Sequence, residues 1–325
     1  MFDTSLTWPL LWQGLFWPLV RLVLLVSLGL TIATLIESLH WTHRVAVAAR
    51  PLIRLGRLSP VTGASFSMAF FSGVSANTML AEAYDQRQIS RTELVLANLF
   101  NSLPRFFLHL PTVFFLTVSL IQGAAFIYAG LTFLAALLQT LLVVGLGRLL
   151  LATPVAGPGG PATEPATGAA PVGWREALNR TGGRLRQRLP RVLLFTVPVY
   201  ILFFFLNRYG LFQRLHELMA EKVWFLGWLE PRSLSIVVLH VTTEFTAGLA
   251  AAGALLADRS LAVRDVVLAL LVGNVLAAPV RAIRHSLPYY FGIFTPGLAL
   301  ELVGLSQLCR LLALLGVGWG YYVFG

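Results

Sequence analysis

A chain of 325 residues in which 57% are hydrophobic and only 12% are charged is too apolar for a soluble domain, where about 25% of residues carry charge. Its formal charge of +10 comes largely from basic residues beside apolar segments, which is typical of loops near anionic lipid and argues against a nucleic-acid-binding surface. The one cysteine, Cys309, excludes an intrachain disulfide and a metal site built from several cysteines.

The first half of the chain begins with an apolar segment, at about residues 14–38, that is long enough to span a bilayer. The residues before it carry no basic cluster and no small-residue cleavage site, so we expect a retained membrane helix and no removable signal peptide. Residues 41–58 then alternate basic and apolar side chains, a pattern that predicts a helix lying in the plane of the lipid headgroups.

A stretch rich in small residues comes next, at 59–85. Small polar residues at its centre, 72–77, favour a re-entrant hairpin over a plain crossing, because broken backbone at that depth must line a cavity or be covered by protein. Ser90 and Glu93 then form a capping box, in which both side chains accept from free backbone N–H groups at the start of a helix. A proline-containing helix and a final apolar helix complete this half.

A linker of Pro, Gly, Ala and Thr, residues 152–172, leads to a second half of similar plan. That half has an apolar helix at 192–209, an amphipathic segment at 211–229 and a small-residue hairpin from Glu230 onward. A proline-containing helix and a final helix follow in the same order. We therefore divide the chain into a first repeat at 1–151, a linker with a basic amphipathic segment at 152–190, and a second repeat at 191–325.

A polar triplet occurs once in each half, within apolar sequence and beside a proline. Asn98, Arg105 and His109 recur as Asn274, Arg281 and His285, all displaced by the same 176 positions. Steps of seven and four residues put each trio on one face of a helix. Polar and charged groups in hydrocarbon cost several kcal/mol unless they meet partners, water or a ligand. The repeated triplet therefore predicts one internal site shared by the two halves.

The repeats are predicted to be inverted relative to each other. Each half contains three membrane spans if its hairpin makes no net crossing, and halves with an odd number of spans, joined on one side, must be inverted. The segments expected in the cytoplasm, which include 40–57 and 152–191, hold thirteen arginines and five acids. Those expected outside hold six basic and five acidic residues, which agrees with the positive-inside rule.

The run FSGVSANTMLAEAYDQRQISRTELVLANLFNSLPRFF, at 71–107, resembles membrane proteins with a nucleoside-recognition GATE domain. The order of parts is similar to the transport core of concentrative nucleoside transporters, and more remotely to spore maturation proteins A and B and the ferrous-iron permease membrane domain. The expected fold is an all-α polytopic membrane protein with two inverted repeats. Each repeat has a membrane helix, an interfacial amphipathic helix, a re-entrant hairpin, a proline-broken helix and a final helix.

In those transporters, the hairpin tips and the breaks in the following helices form the substrate and coupling-ion sites. Carried over by position, the resemblance implies a site made of Ser75, Asn77, Asn98, Asn101, Glu244, Thr246 and Asn274. Helical spacing adds Ser102 to the face of Asn98 and Asn101, and the repeated triplet adds Arg105 and Arg281. The chain departs from the nucleoside pattern, because its first hairpin has no acidic residue near the tip and because the arginines are not part of that pattern.

Each candidate also has a structural interpretation. Arg105 and Arg281 either lie at mid-depth, attracting an anion or Glu244, or reach an interface by snorkelling. His109 and His285 either relay protons or hydrogen-bond to a neighbouring helix. Amides and hydroxyls are either ligands or links between helices, and a carboxylate such as Glu244 must pair, bind a cation or titrate. Four glycines predict close helix packing: Gly123, Gly130, Gly297 and Gly304.

The function predicted from these patterns is a permease that moves a small polar solute, nucleoside-like or anionic, through a central site between the repeats. The alternative is a membrane scaffold or assembly factor without transport activity. We expect no enzymatic activity, no metal and no cofactor, with a coupling cation or proton left open. The expected partners are the bilayer, a small solute and anionic lipid at the basic segments, without nucleic acid; a homo-oligomer is left open. The expected location is a prokaryotic cytoplasmic membrane.

Overall fold

A computed structural model describes residues 50–151, 227–242 and 245–325 continuously, together with positions within 8–32 and 182–205. All elements in these ranges are helices joined by turns. Several predictions lie outside the described residues: the linker, most of the second amphipathic segment, and the proposed role of Glu244.

The described positions between 17 and 32 are helical. Helix α1 (Trp8–Leu11) runs into a π-helical turn at Trp12–Phe16, and helix α2 spans Arg50–Leu55. The predicted hairpin consists of helix α3 (Pro60–Ala69) and helix α4 (Gly73–Asp85). At 10 and 13 residues, each is too short for a span of about 20 residues. The stretch 59–85 is therefore interrupted, but at residues 70–72, and residues 73–77 of the predicted interruption are helical.

Local capping explains where the hairpin helices begin. The Ser59 side chain accepts from the Thr62 N–H at 3.3 Å, and the Ser72 side chain accepts from the Ser75 N–H at 3.1 Å. Pro60 occupies the first turn of α3, where its missing N–H has no helical partner to lose. The two helices are then joined by a bond from Ser65 Oγ to the Ala76 carbonyl oxygen at 3.0 Å.

Helix α5 (Arg91–Phe100) begins at Ser90, whose side chain accepts from the Glu93 N–H at 3.1 Å. Its capping box is only half as predicted. Glu93 Oε1 accepts instead from the Ser59 N–H at 2.8 Å and from Thr62 Oγ1 at 2.9 Å. The carboxylate thus caps the neighbouring helix α3, because the hairpin places the free N–H groups of α3 beside α5.

Helices α6 (Ser102–Ile121) and α7 (Ala124–Leu150) complete the first half. The backbone is interrupted at Asn101, where ψ is 0° and far from the helical value of about −42°. Pro104 contributes to this break, because it has no N–H to donate to the Phe100 carbonyl.

The second half repeats this order of elements. After a 3₁₀ turn at Pro231–Ser233 come helix α8 (Leu234–Thr242), helix α9 (Phe245–Ala257) and helix α10 (Val263–Arg281). A π-helical turn at Ala282–Ser286 follows, in which the Leu287 N–H donates to the Ala282 carbonyl, five residues back. Helix α11 (Leu287–Phe291) and helix α12 (Pro296–Phe324) end the chain.

The start positions of matching helices differ by an almost constant number of residues. Helices α3 and α8 begin 174 residues apart, and each of the pairs α4/α9, α5/α10 and α7/α12 begins 172 residues apart. The match extends from the hairpin to the last helix. We call residues 60–150 the first unit and residues 231–324 the second unit, since their helices begin at corresponding positions.

Four described helical segments are long and apolar enough to cross a membrane: Arg91–Ile121, Ala124–Leu150, Val263–Arg281 and Pro296–Phe324. The protein is an all-helical membrane protein. Helix α7 packs against α5, α6, α10 and α12, and the hairpin α8–α9 packs against α10. Segments from both units thus meet along α7.

Close packing occurs at glycines other than the predicted ones. A Cβ at Gly253 would lie 2.5 Å from the Leu120 carbonyl oxygen, and a Cβ at Gly147 would lie 2.5 Å from the Gly56 carbonyl oxygen. At Gly123, Gly130, Gly297 and Gly304, an added Cβ would meet no atom of a neighbouring described element within 4 Å. These four glycines lie on faces that no described helix covers, so the described residues give no support to their predicted role in packing.

Candidate functional site

A cavity of about 310 Å³ lies between the long helices α6, α7, α10 and α12. Three arginines line it, and each comes from a different helix: Arg105 from α6, Arg281 from α10 and Arg310 from α12. Phenylalanines and aliphatic side chains form much of the remaining wall. Both units therefore contribute positive charge to one internal space.

Arg281 is held in place by Asn274, two helical turns earlier on α10. Its Nη2 donates to the Asn274 carbonyl oxygen at 2.9 Å and also to the Asn274 side-chain oxygen. The Asn274 amide nitrogen in turn donates to the Tyr128 hydroxyl of α7 at 3.3 Å. One edge of the guanidinium is thus fixed within the second unit, and the bonds continue to a helix of the first.

His240 lies behind Arg281 and is a residue that the sequence analysis missed. It is only 3% exposed, and its Nε2 lies 3.4 Å from Arg281 Nη1. A guanidinium only donates, so Nε2 accepts and Nδ1 carries the proton of a neutral ring. The ring fits between Gly248 and Gly273, where an added Cβ would lie 2.9 Å from His240 Cβ and 2.8 Å from Nδ1, respectively. In the sequence, the two glycines within apolar helices were the feature that could have indicated a buried side chain packed against them.

Arg105, on α6, has different neighbours from Arg281. Its guanidinium approaches the hydroxyl of Tyr290, which belongs to α11 of the second unit. The same hydroxyl accepts from Asn98 Nδ2 at 2.7 Å. Asn98 Nδ2 also donates to Asn77 Oδ1 at 3.1 Å, and Asn77 Nδ2 donates to the Tyr289 hydroxyl at 3.3 Å. This buried network joins the first hairpin to the second unit.

Arg310 was also missed by the sequence analysis. Within the part of the chain that the structure describes, no hydrogen bond or ion pair of its side chain is found, and the charges of Arg105 and Arg281 act on it. It is the single charged residue of α12 after Glu301. A lone arginine in the middle of an apolar 29-residue helix is itself a signal for a functional position.

Each triplet is interrupted by a break in its helix, and the break falls at a different position in the two units. In the first unit the break at Asn101 separates Asn98 from Arg105, so that Asn98 joins the hairpin network while Arg105 and His109 line the cavity. In the second unit α10 is continuous from Asn274 to Arg281, and both line the cavity. The π-helical turn that follows contains His285, which is exposed and is not part of the lining.

Of the predicted site residues, the structure brings together five in the cavity wall: Ser102, Arg105, His109, Asn274 and Arg281. The other described candidates lie elsewhere: Ser75, Asn77, Asn98, Asn101, Thr246 and His285. Ser75 is exposed and bonds to Ser72 Oγ at 2.9 Å, and Asn101 Nδ2 donates to Ser65 Oγ at 3.3 Å. Their predicted role in binding stays a prediction, and Glu244 lies outside the described residues.

The described lining of the cavity contains no acidic residue. Among the described residues, the ion pair that forms is Arg91 with Glu301, at 2.5 Å, and both partners lie away from the cavity lining. No group of three or more His, Cys, Asp or Glu within the described ranges is placed to hold a metal ion. The electrostatic character of the described lining is therefore positive.

Comparisons with known proteins find relatives in an archaeon. Two uncharacterised proteins of Methanocaldococcus jannaschii are 24% identical over 301 residues and 23% identical over 290 residues. These alignments cover 90% of this chain and of the first relative, and 89% of this chain and of the second. A third uncharacterised protein of that organism is 21% identical over 285 residues, covering 85% of this chain and 88% of the relative. No family model matches the chain, and no solved structure matches it.

Proposed function

We propose that the protein is a permease that binds a small anion in the cavity between its long helices and moves it across the membrane. The observation that carries this proposal is the convergence of Arg105, Arg281 and Arg310 on one cavity without an acidic residue in its described lining. Arg105 and Arg281 are half-buried and Arg310 is exposed, and a guanidinium that is partly removed from bulk water is destabilised by up to several kcal/mol unless its charge is matched. An anionic solute supplies the matching charge.

The arrangement of Arg281 supports binding over a purely structural role. Its contacts with the Asn274 carbonyl and the His240 ring leave the guanidinium positively charged, because neither partner carries a negative charge. They do fix its orientation, and a donor that is held in place before the ligand arrives loses less conformational entropy on binding.

The repeated order of elements supports alternating access. Each unit sends an asparagine–arginine pair toward a tyrosine of the other unit: Asn98 and Arg105 meet Tyr290, and Asn274 with Arg281 meets Tyr128. We infer that the units are inverted, as the odd number of predicted spans requires, and that they rock against each other around the cavity. Their contacts at the two tyrosines would then change in turn.

The resemblance to GATE-domain proteins supports this fold, but we propose a different solute from that of the nucleoside transporters. A nucleoside is neutral and does not balance three guanidinium groups, so we place the chain beside nucleoside transporters in architecture and assign it an anion. The archaeal relatives support a prokaryotic cytoplasmic membrane. The positive-inside rule supports a cytoplasmic location for 40–57 and 152–191.

Uptake into proteoliposomes tests the proposal. Purified protein is reconstituted and tested for counterflow of radiolabelled phosphate esters, dicarboxylates and uridine. We expect movement of an anion, its loss in Arg281→Ala, and its retention in the matched control Arg264→Ala, whose side chain is exposed and lies over the Tyr322 ring at the end of α12. If none of these solutes moves through protein that remains folded, the permease proposal fails.

A membrane scaffold is the second candidate, and one observation favours it. The network of Asn77, Asn98, Tyr289 and Tyr290 joins the units without lining the cavity. Hydrogen bonds between membrane helices contribute about 1 kcal/mol each, so this network stabilises the contact between units whether or not a solute binds. Normal folding together with absent flux and absent anion binding would favour the scaffold.

A further inference from the structure

We propose that the ligand of the cavity is a dianion, namely a phosphate monoester with a small apolar body. This rests on the proposed function, since it specifies the anion that the same cavity binds. Four observations carry it: the charge of the lining, the donors that remain available, the size of the cavity and the composition of its wall.

The charge of the lining calls for two negative charges. Arg105, Arg281 and Arg310 bring three positive charges, and the described lining brings no negative one. Even if Glu244, which lies outside the described residues, were counted as an anion at this site, two positive charges would remain. With Glu244 counted, a monoanion leaves one guanidinium unmatched and a dianion leaves none; without Glu244, a monoanion leaves two unmatched and a dianion leaves one.

The available donors fit one compact head group. Arg281 directs Nη2 to Asn274 and Nη1 toward His240, and its other N–H groups remain for a ligand. Arg310 makes no hydrogen bond among the described residues, so its fork is available. Arg105 and Arg281 are each close enough to Arg310 for their charges to act on it. A phosphate monoester has three terminal oxygens for such forks, and a carboxylate has two.

The wall and the volume of the cavity indicate the size and polarity of the part of the ligand beyond its phosphate group. Phe106, Phe114 and Phe245 form an aromatic surface. A volume of about 310 Å³ lies at the lower end of the roughly 300–1,000 Å³ of ligand pockets, which leaves room for one head group and a small body. Ser102 Oγ and Gln139 Nε2 are buried without a hydrogen-bond partner among the described residues, and both residues line the cavity. They are available to an ester oxygen or a hydroxyl group.

The test compares phenyl phosphate with phenyl sulfate, which has nearly the same shape but only one negative charge. Binding to purified protein is measured by calorimetry at about pH 8, above the second pKa of a phosphate ester near 6. We expect phenyl phosphate to bind at least about tenfold more tightly, because its three terminal oxygens carry two negative charges toward the arginines and those of phenyl sulfate carry one. The preference should shrink at about pH 5, where phenyl phosphate carries a single charge.

A variant of Arg310 tests whether this arginine causes the preference for phenyl phosphate over phenyl sulfate. Arg310→Gln should bind phenyl phosphate about tenfold more weakly and lose most of the preference over phenyl sulfate, while Arg264→Gln keeps both. Equal binding of the two probes by the unmodified protein would overturn the proposal, as would tighter binding of phthalate than of phenyl phosphate. In either case anion flux would persist, so the permease proposal would survive the failure of this one.

A phosphate monoester can come from a free solute or from a lipid headgroup. Both sources are tested in nanodiscs of phosphatidylcholine with and without phosphatidate. Competition by phosphatidate for phenyl phosphate identifies the headgroup as the source. Binding of phenyl phosphate that is unchanged by phosphatidate identifies a free ester.

Discussion

Asn98 and Tyr290, which are 192 positions apart, are joined by a hydrogen bond of 2.7 Å from the asparagine Nδ2 to the tyrosine hydroxyl. Both residues are buried, with exposed fractions of 1%. The same hydroxyl lies beside Arg105, so one atom links the first hairpin network to a cavity arginine. The contact therefore forms only when the two units pack against each other.

Tyr290→Phe should destabilise the protein by about 1–3 kcal/mol, because it removes a buried acceptor and leaves donors of Asn98 and Arg105 without it. Tyr289→Phe is the matched control. Its hydroxyl also bonds to Tyr290, but its bond to Asn77 is longer, at 3.3 Å, and its side chain is less buried, so a smaller loss is expected. Unfolding by dodecyl sulfate in mixed micelles measures both. Equal losses would contradict the importance assigned to the Asn98–Tyr290 bond.

Gly273→Ala should destabilise the protein by about 1–3 kcal/mol, since the new methyl group would lie 2.8 Å from His240 Nδ1 and the ring must move. The control is Gly304→Ala, where an added methyl meets no neighbouring described element within 4 Å and alanine favours the helix by about 1 kcal/mol. Thermal unfolding in detergent separates the two.

The double variant Gly273→Ala with His240→Ala tests the cause. Removing the ring still leaves Cβ of residue 240, which would lie 3.0 Å from the new methyl group, so only the part of the Gly273→Ala loss that the ring causes should disappear in the His240→Ala background. Additive losses would show that the methyl group clashes with something other than the His240 ring.

Much of the fold was predictable because it follows from local patterns. The interruption near Ser72, the helix start at Ser90 and the repeated order of elements all depend on residues close in sequence. The partner of Glu93 was not predictable in this way. Its carboxylate caps α3, about thirty residues earlier, and that contact exists only after the hairpin has packed on α5.

The candidate site was predictable only in part, and the helix breaks explain the difference. A spacing of seven and four residues places three side chains on one face only if the helix is regular. The break at Asn101 and the π-helical turn around His285 rotate one member of each triplet away from the cavity. Arg310 and His240 have no counterpart in the repeated pattern, so internal repetition gave no indication of them.

Glu93→Gln tests the cap across the hairpin. Glutamine keeps an oxygen acceptor but loses the charge, and hydrogen bonds to charged groups are worth roughly twice those to neutral ones. We expect a loss of about 1 kcal/mol, and a larger loss in Glu93→Ala, which leaves the Ser59 N–H and Thr62 Oγ1 without their acceptor. Glu82→Gln is the control, since Glu82 is exposed and bonds only to nearby Gln86 among the described residues.

Asn274→Asp should separate stability from anion binding. The change is nearly isosteric and places a carboxylate where Arg281 already donates to the side-chain oxygen, so the protein should remain at least as stable as the unmodified one. The same carboxylate neutralises one of the three positive charges of the cavity. Anion affinity should therefore fall by about tenfold or more, and proteoliposome flux should fall with it.

Asn274→Ala completes the comparison. It removes the side-chain contact but keeps both the backbone carbonyl bond and the full positive charge, so Arg281 is less well fixed and anion affinity should fall by less than in Asn274→Asp. Calorimetric binding of phenyl phosphate and thermal unfolding are measured for both variants. If Asn274→Asp binds the anion as tightly as the unmodified protein, the charge of Arg281 does not act on the ligand, and the cavity arginines are structural.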